Sequence, residues 1–250
     1  MTRTIVRLAT VDSTQSEAFR LAAAGAADGT VVVADTQRSG RGRRGRGWHD
    51  VPGASVLVSL LVRPRLAAAA LPQLSFVAAV AVAEALEATT GLTPRLKWPN
   101  DVLARGRKVA GILLESRPGD AAGPCVVIGI GVNLAQRAFP EALADRATSV
   151  LLETGRAPGR DTVLEALLEA FDRWRARLEG DGFGAVRDAW RARTETLGRR
   201  VSVEGVAGTA VDIDEAGALL VDDGGRVRRI VSGELEAGEV RTGETDAAGA

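Results

Sequence analysis

Residues 97–115 read KWPNDVLARGRKVAGILLE and predict a strand, a turn and a second strand. Pro99 and Asn100 are typical turn residues. The run from Val109 to Glu115 has the apolar, β-rich composition of a strand. The segment therefore indicates a hairpin-like unit with several polar side chains near its turn.

Both lysines of the chain lie in this segment, since 30 of its 32 basic residues are arginine. Lys97 and Lys108 on opposite limbs of the hairpin-like unit would bring an ammonium group and the Asp101 carboxylate into one pocket. Asn100 and Asn133 are the only asparagines. Codon bias could leave these few lysines and asparagines by chance. Taken singly, Asp101 also fits an aspartate that caps its own turn, and Lys97 fits an exposed strand lysine. The alternative is a site that needs an ammonium point charge, which a planar guanidinium cannot replace.

Apolar, β-rich runs alternate with alanine- and leucine-rich stretches of helical spacing before residue 197. The predicted strands are Thr4 to Ala9, Thr30 to Ala34, Ser55 to Val62, Val109 to Glu115 and Cys125 to Val132. The predicted helices are Gln15 to Ala24, Leu74 to Ala88, Asp161 to Leu178 and Phe183 to Arg193. This order predicts an α+β domain, residues 1–196, in which helices flank a mixed sheet.

Short strands separated by glycine replace this pattern near residue 197. They are Arg200 to Glu204, Gly208 to Ile213, Ala218 to Val221 and Val227 to Val231. We expect residues 197–240 to form a small β-barrel domain. The composition of residues 241–250, RTGETDAAGA, is typical of a disordered tail.

The segment from Gln37 to Trp48, QRSGRGRRGRGW, holds four glycines and five arginines in twelve positions after a predicted strand. Glycines let backbone N–H groups approach an anion closely, and the arginines add positive charge. The segment therefore indicates a site for a carboxylate beside phosphates.

Other interpretations of this arginine-glycine loop are open. Gly40, Gly42 and Gly45 match the dinucleotide fingerprint, but a strand follows where that motif requires a helix, so a Rossmann site is rejected. A flexible arginine-glycine segment that binds single-stranded RNA remains an alternative. So does a solvated basic hairpin tip.

Two further segments combine strand or helix signals with polar residues. In residues 129–134, GIGVNL, two glycines inside an apolar strand suggest close approach of a ligand or another backbone. Asn133 at the strand end could hydrogen-bond a ribose or a base. At the start of the first helix, Thr14 and Glu17 fit a capping box, so capping is the simplest role for Thr14.

The overall composition limits the classes of protein that fit the chain. At 250 residues and 46% hydrophobic, it can bury one sizeable core and a small second one. Its 32 acidic and 32 basic residues balance, which favours neither a nucleic acid nor a membrane as partner. One cysteine, Cys125, and one histidine, His49, predict no disulfide and no bound metal. We expect no secretion leader, no segment apolar enough to cross a bilayer, and a cytoplasmic location.

These segments, in this order, resemble the biotin protein ligases. The resemblance rests on the Ser-Thr element at residues 13–14, GRGRRGRGW, KWPND, K-x-x-GIL from Lys108 and GIGVN from Gly129. It implies a catalytic domain related to class II aminoacyl-tRNA synthetases and an SH3-like C-terminal barrel. It also implies two steps, in which biotin and MgATP form biotinyl-adenylate and the adenylate acylates a lysine of a carrier domain.

The resemblance also implies roles for particular residues. The biotin contacts would be Ser13, Thr14, Gln37, Gly40, Arg41, Lys108 and Gly111. The ATP or adenylate contacts would be Arg43, Arg46, Trp48, Asn100, Ile112 and Asn133. Lys108 and Arg43 would stabilise negative charge, and Asp101 would help an incoming lysine, of ordinary pKa about 10.4, to lose its proton.

The implied partners are biotin, ATP with Mg²⁺, and the carrier domain of an acyl-CoA or pyruvate carboxylase, with the protein a monomer or weak homodimer. Gln15 stands where asparagine is common in the family. Some members begin with a DNA-binding helix-turn-helix that this sequence does not show, so no DNA binding is expected. The rival enzyme is a lipoate or octanoate ligase of the same fold, whose pocket would be less polar than Ser13, Thr14 and Gln37 suggest.

Overall fold

A computed structural model of the protein describes residues 3–120 and 123–235. It contains two β-sheets, one of seven strands and one of four. The residues predicted to form a tail, 241–250, lie outside the described residues, as do the last residues of the predicted barrel.

The seven-stranded sheet forms the core of the larger part of the chain, in the order β1-β2-β3-β7-β6-β5-β4. Its strands are β1 Ile5–Val11, β2 Val31–Gln37, β3 Ser55–Val62, β4 Arg95–Lys97, β5 Asp101–Ala104, β6 Arg107–Asp120 and β7 Gly123–Asn133. Strands β1 and β2 pair in parallel and all the other neighbours pair antiparallel. The prediction of a mixed sheet is confirmed.

Helices cover the two faces of this sheet unequally. They are α1 Thr14–Ala23, α2 Gln73–Thr90, α3 Glu141–Ala144, α4 Val150–Thr154, α5 Arg160–Asp181 and α6 Gly184–Arg193. Helix α2 packs on β4 to β7 and is covered by α5 and α6. On the opposite face α1 packs on β2, β3 and β7. There Phe19 forms a small apolar cluster with Val32, Leu61 and Val127. Helix α1 leaves the rest of that face uncovered, and this part is available for a site.

Helix α2 corrects the expectation that no segment is apolar enough to cross a membrane. The stretch Ala68–Thr90, which includes α2, meets that criterion by length and composition, with a mean hydropathy of 1.7. Its apolar window is 67% buried, and residues such as Val77 and Leu86 belong to the main core. A helix packed between a sheet and two other helices must be apolar on most of its surface, which accounts for the composition.

The smaller sheet is antiparallel, in the order β11-β10-β9-β8. Its strands are β8 Arg200–Val203, β9 Val206–Ile213, β10 Leu219–Asp222 and β11 Val227–Ile230. The predicted short strands are therefore confirmed, whereas their closure into a barrel stays a prediction. The sheet packs on the larger part of the chain, since Trp98 Nε1 donates to Gly217 O at 3.1 Å.

An ion pair also joins the two parts, because Arg191 of α6 donates to Asp212 of β9, with Nε to Oδ1 at 2.8 Å. Burial alone would raise the pKa of Asp212. The hydrogen bonds from Arg191 and from the Ile213 backbone N–H outweigh burial, so the pKa of Asp212 lies below its usual value. The ionised carboxylate therefore stabilises the folded state, fully at any pH above the ordinary aspartate pKa of about 3.9.

We predict that Asp212→Asn lowers the free energy of unfolding at pH 7 by on the order of 1 kcal/mol, since solvent screens this partly exposed pair. The difference from wild type should shrink as the pH falls below about 4, where wild type loses the ionised carboxylate. Urea unfolding between pH 2 and 7 measures it. Asp188→Asn is the control, because Asp188 pairs with the same arginine but is 70% exposed. Equal pH profiles for both variants would contradict the prediction.

Candidate active site

A cavity of about 1240 Å³ opens on the face of the seven-stranded sheet that α1 leaves uncovered. It exceeds the range of about 300–1,000 Å³ that is usual for one drug-sized ligand. The predicted site residues that line it are Ser13, Thr14, Gln37, Arg41, Arg43, Arg46, Trp48, Asn100, Asp101, Lys108, Gly111, Ile112 and Asn133. Gly40 lines a smaller hollow beside it, under the arginine-glycine loop.

A row of directly paired residues forms part of the cavity floor. It crosses five strands in the order Leu57, Gly131, Gly111, Asp101 and Lys97. Residues opposite one another on neighbouring strands share one face of a sheet. The row therefore places the carboxylate and the ammonium group on the cavity side, next to two central glycines.

The two central glycines leave space that Trp48 occupies. A Cβ atom on Gly131 would lie 2.5 Å from Cε2 and Cζ2 of the Trp48 indole. One on Gly111 would lie 3.1 Å from Cζ3 of the same ring and 2.8 Å from Cε of Lys108. At Gly131 the close approach expected from the glycines of GIGVNL is thus made by an aromatic side chain and not by a ligand or another backbone.

Uncharged polar groups occupy the end of the cavity near α1. The Thr14 backbone N–H and Oγ1 donate to Gln37 Oε1 at 2.8 and 3.0 Å. Ser59 Oγ donates to Thr14 Oγ1 at 2.9 Å. The capping expectation for Thr14 is wrong, because the N-cap position belongs to Ser13, whose side chain makes no capping bond. Ser13 Oγ is buried and has no hydrogen-bond partner within the described residues, so it is available to a ligand.

Sequence reasoning missed Ser59 and gave no role to Gln15. Ser59 interrupts the apolar run SVLVSLLV, and a polar residue inside a predicted buried strand is the sequence signal that could have indicated it. In the structure Ser59 is 0% exposed. Gln15 Nε2 donates to the carbonyl oxygens of Val127 and Leu113 at 3.1 and 3.3 Å. A Cβ on Gly129 would lie 2.5 Å from Gln15 Oε1, so this glycine leaves room for the glutamine.

Lys108 and Asp101 meet in the middle of the cavity, with Nζ and Oδ1 2.5 Å apart. The contact is an ion pair without the alignment of a hydrogen bond. The Lys108 ammonium also lies 5.8 Å from the centroid of the Trp48 ring. The prediction that Asp101 and an ammonium group share a pocket is confirmed. The hairpin that carries them is β5–β6, however, and Lys97 lies on the third strand β4, because the KWPND turn separates β4 from β5.

The arginine-glycine loop lies across the cavity and contacts both parts of the chain. A 3-10 turn at Arg43–Gly45 is closed by a bridge between Arg41 and Gly47. Three of its arginines pair with glutamates, which are Glu115 for Arg41, Glu204 for Arg44 and Glu234 for Arg46. The three glutamates are distant in sequence from the loop, so no local pattern could have predicted them.

Arg43 has neutral hydrogen-bond partners in place of a carboxylate. Its Nη1 donates to Gly233 O at 3.2 Å and to Asn100 Oδ1 at 3.4 Å. Burial, together with the positive charges of Arg44 and Arg46, lowers the pKa of Arg43. The guanidinium stays protonated at neutral pH, and its positive charge is available to an anion in the cavity.

The two asparagines are held by backbone carbonyl groups. Asn100 Nδ2 donates to Ile112 O at 2.7 Å. Asn133 is 3% exposed, and its Nδ2 donates to Thr148 O at 3.0 Å while its Oδ1 accepts from Gln136 Nε2 at 3.1 Å. Both amides are therefore fixed in orientation at the cavity wall. Within the part of the chain that the structure describes, no group of three or more His, Cys, Asp or Glu residues could hold a metal ion.

The sequence and the structure are similar to known proteins along almost the whole chain. The sequence model of the biotin/lipoate A/B protein ligase family matches residues 8–133, and that of the biotin protein ligase C-terminal domain matches residues 196–236. The biotin–[acetyl-CoA-carboxylase] ligase of Paracoccus denitrificans is 44% identical over 225 residues, which are 86% of this chain and 92% of that protein. The bifunctional ligase/repressor BirA of Bacillus subtilis is 36% identical over an alignment that covers 91% of this chain and 72% of the BirA chain.

Solved structures show the same likeness. The biotin protein ligase of Aquifex aeolicus in complex with biotin and ATP superposes with a TM-score of 0.82 at 33% identity, covering 93% of this chain and 97% of that one. The apo structure of the Aquifex aeolicus enzyme superposes with a TM-score of 0.80 at 30% identity, over 94% of this chain and 99% of its own.

We predict that Gly131→Ala displaces the Trp48 indole, because the added methyl group would overlap the ring, at a cost of about 1–3 kcal/mol in stability. Acrylamide quenching of tryptophan fluorescence should increase. In a Trp48→Phe background the same substitution should leave quenching of the remaining tryptophans unchanged. Gly47→Ala is the control, since its added Cβ meets nothing closer than 3.9 Å. Unchanged quenching in Gly131→Ala would show that the indole lies elsewhere.

Proposed function

The chain belongs to the biotin/lipoate A/B protein ligase family, as one of its biotin protein ligases, and we propose that it activates biotin with ATP and transfers it to a lysine of a carrier domain. One observation carries the proposal. A single cavity joins an uncharged polar end, the Lys108–Asp101 pair and a set of arginines in the order that an acid, its carboxylate and a polyphosphate require.

The polar end of the cavity fits the cyclic urea of biotin. A ureido group offers one carbonyl acceptor and two N–H donors, and the linked Thr14, Gln37 and Ser59 side chains supply both kinds of partner. The Ser13 hydroxyl is available as another. A lipoyl ring or an octanoyl chain offers these groups no hydrogen bonds and would leave the buried Ser13 hydroxyl without a partner, which costs roughly 1–3 kcal/mol. The cavity therefore favours biotin over the acids of the sister enzymes.

The first half-reaction needs alignment and positive charge. The biotin carboxylate is ionised at neutral pH and attacks the α-phosphorus of ATP, and the bond from that phosphorus to the leaving pyrophosphate breaks. Lys108, at the centre of the cavity, is placed to stabilise the charge that builds up on the α-phosphate. Arg43 and Arg46 supply further positive charge, and Arg41 with the backbone N–H groups of its loop binds the carboxylate. ATP enters as its magnesium complex.

The adenosine part would bind between Trp48 and the two asparagines. The indole offers an apolar face to a purine, and the oriented amides of Asn100 and Asn133 offer donors and acceptors at the wall. Ile112 supplies an apolar contact beside them. These assignments rest on the cavity lining and on the family resemblance.

In the second half-reaction, the lysine of a biotin carboxyl carrier domain attacks the acyl carbon. An amide bond forms, the bond from the acyl carbon to the phosphate oxygen breaks, and AMP leaves. The incoming ammonium must first lose a proton, and Asp101 lies beside the reaction centre to help remove it while Lys108 stabilises the oxyanion. The acceptor is the carrier domain of an acyl-CoA or pyruvate carboxylase.

Several finer assignments belong to the same proposal. The larger part of the chain is related to the catalytic domain of class II aminoacyl-tRNA synthetases, and the four-stranded sheet is part of an SH3-like barrel. The protein acts in the cytoplasm as a monomer or weak homodimer.

We predict that wild-type protein given biotin and MgATP forms biotinyl-AMP and then biotinylates a carrier domain at its lysine, and that Asp101→Asn separates the two steps. Transfer from preformed adenylate should fall by about 10²-fold or more, the usual effect of losing a general base. Adenylate formation should fall less, because it needs no base. Rapid quench with mass spectrometry measures both rates.

Asp145→Asn is the matched control, since Asp145 also lines the cavity but lies outside the Lys108 ion pair. It should leave both rates within about threefold of wild type, as expected for a carboxylate without a role in either step. If Asp101→Asn slowed both half-reactions equally, the role of Asp101 would be to position Lys108 and not to act as a base in the transfer step. If wild type formed no biotinyl-AMP, the proposed function itself would be wrong.

A further inference from the structure

Lys97 is a cationic cavity residue to which the proposed function gives no role. It is half-buried, ends strand β4 and pairs with Asp101 of β5. Paired residues share a face, so its side chain lies on the cavity side, and it lines the cavity. It is one of only two lysines in the sequence, and the other is Lys108.

The ammonium group of Lys97 has no carboxylate at ion-pair distance among residues 3–120 and 123–235. Its cross-strand neighbour Asp101 is paired with Lys108 on the other side, 2.5 Å away. Three other cations of the cavity have carboxylate partners, which are Glu115 for Arg41, Glu234 for Arg46 and Glu195 for Arg199. Arg146 and Arg200 also line the cavity and, within the described residues, form no ion pair. A half-buried ammonium without a counter-ion leaves part of its desolvation cost uncompensated, and an anionic ligand would offset it.

The backbone around Lys97 is fixed on both edges. Strand β5 pairs with one edge of β4, and the segment that leads to the four-stranded sheet bonds to the other. On that side Glu195 N donates to Leu96 O at 2.8 Å, and Trp98 N donates to Thr196 Oγ1 at 2.9 Å. The lysine stem therefore starts from a rigid base at the junction of the two parts of the chain.

Positive charge exceeds negative charge at this junction. The cavity residues contributed there by the segment after α6 and by the C-terminal end of the described chain include Arg199 and Arg200, against Glu195 and Glu234. Lys97 and Arg43 add positive charges that have no carboxylate at ion-pair distance within the described residues. This end of the cavity therefore suits a small, multiply charged anion.

We propose that Lys97 binds the β- and γ-phosphates of ATP and holds the pyrophosphate that adenylate formation releases. The proposal rests on the proposed function, because it assigns the triphosphate tail to the part of the cavity beyond Lys108. As the bond between the α-phosphorus and the bridging oxygen breaks, its electron pair leaves with pyrophosphate. Charge on the leaving group then rises beside the Lys97 ammonium, which stabilises it without a proton transfer.

The chemistry of lysine fits this ligand better than an acidic patch on the carrier domain. A compact ammonium presents a point charge with three donors, which suits phosphate oxygens that differ in position before and after bond cleavage. A half-buried ammonium group inside a cavity is accessible to a small anion. An acidic patch on a protein surface could pair only with an exposed ammonium group.

Pyrophosphate–ATP exchange at saturating biotin, measured as a function of pyrophosphate concentration, tests the proposal. Lys97→Met should raise the pyrophosphate concentration for half-maximal exchange about tenfold or more, the loss expected for a charge-assisted hydrogen bond. The half-saturating concentration of biotin and the affinity for isolated biotinyl-AMP should not change, since neither ligand contains these phosphates. Lys97→Arg, which keeps the positive charge but not the compact ammonium, should recover only part of the pyrophosphate affinity.

Arg95→Met is the matched control, because it removes a positive charge from the same strand at a residue that does not line the cavity and should behave as wild type. The proposal is overturned if Lys97→Met leaves the pyrophosphate dependence unchanged. It is equally overturned if biotin and biotinyl-AMP affinities fall as much as that for pyrophosphate, or if only transfer to the carrier is slowed.

Failure of the proposed function gives a different result, in which wild type shows no exchange with biotin. Calorimetric titration with inorganic pyrophosphate then tests Lys97 directly. Weaker binding to Lys97→Met than to wild type and Arg95→Met supports the proposal. Equal binding to all three, or none to wild type, overturns it.

Discussion

The paired glycines Gly111 and Gly131, opposite each other on β6 and β7, are the constraint on which the rest of the site depends. With no side chains at the centre of this sheet face, the Trp48 indole can lie against the backbone. Because α2, α5 and α6 all pack on the opposite face, the open face keeps its cavity without exposing the core. Polar groups then sit around a cavity floor that the indole ring covers in place of side chains from the sheet.

The junction between the two sheets matters for the chemistry because the arginine-glycine loop is bound from both sides. Arg43 reaches Asn100 on one part of the chain and Gly233 O on the other, while Arg46 pairs with Glu234. A polyphosphate entering this region would compete with that carboxylate for the guanidinium. Under the proposed function, binding of the nucleotide would therefore be coupled to the contact between the two parts.

Much of the site was predictable because its residues lie in short segments with strong local signals. KWPND marked a turn, the glycines of GIGVNL marked close packing, and the structure brings both to one cavity with Lys108. The interpretation of Thr14 as a helix cap was wrong, because its hydroxyl bonds across the fold to Gln37 and Ser59. Such partners, like Glu234 for the loop, come from strands and loops that meet only after folding, and a local pattern carries no information about them.

We expect the linked polar groups at one end of the cavity to select a cyclic urea for activation by ATP. The decisive measurement is biotin-dependent exchange of labelled pyrophosphate into ATP, repeated with lipoate and octanoate in place of biotin. Exchange should occur with biotin and should not rise above background with the other two acids. Exchange that required lipoate or octanoate would contradict the assignment of the polar end, and no exchange with any acid would contradict the activation chemistry as a whole.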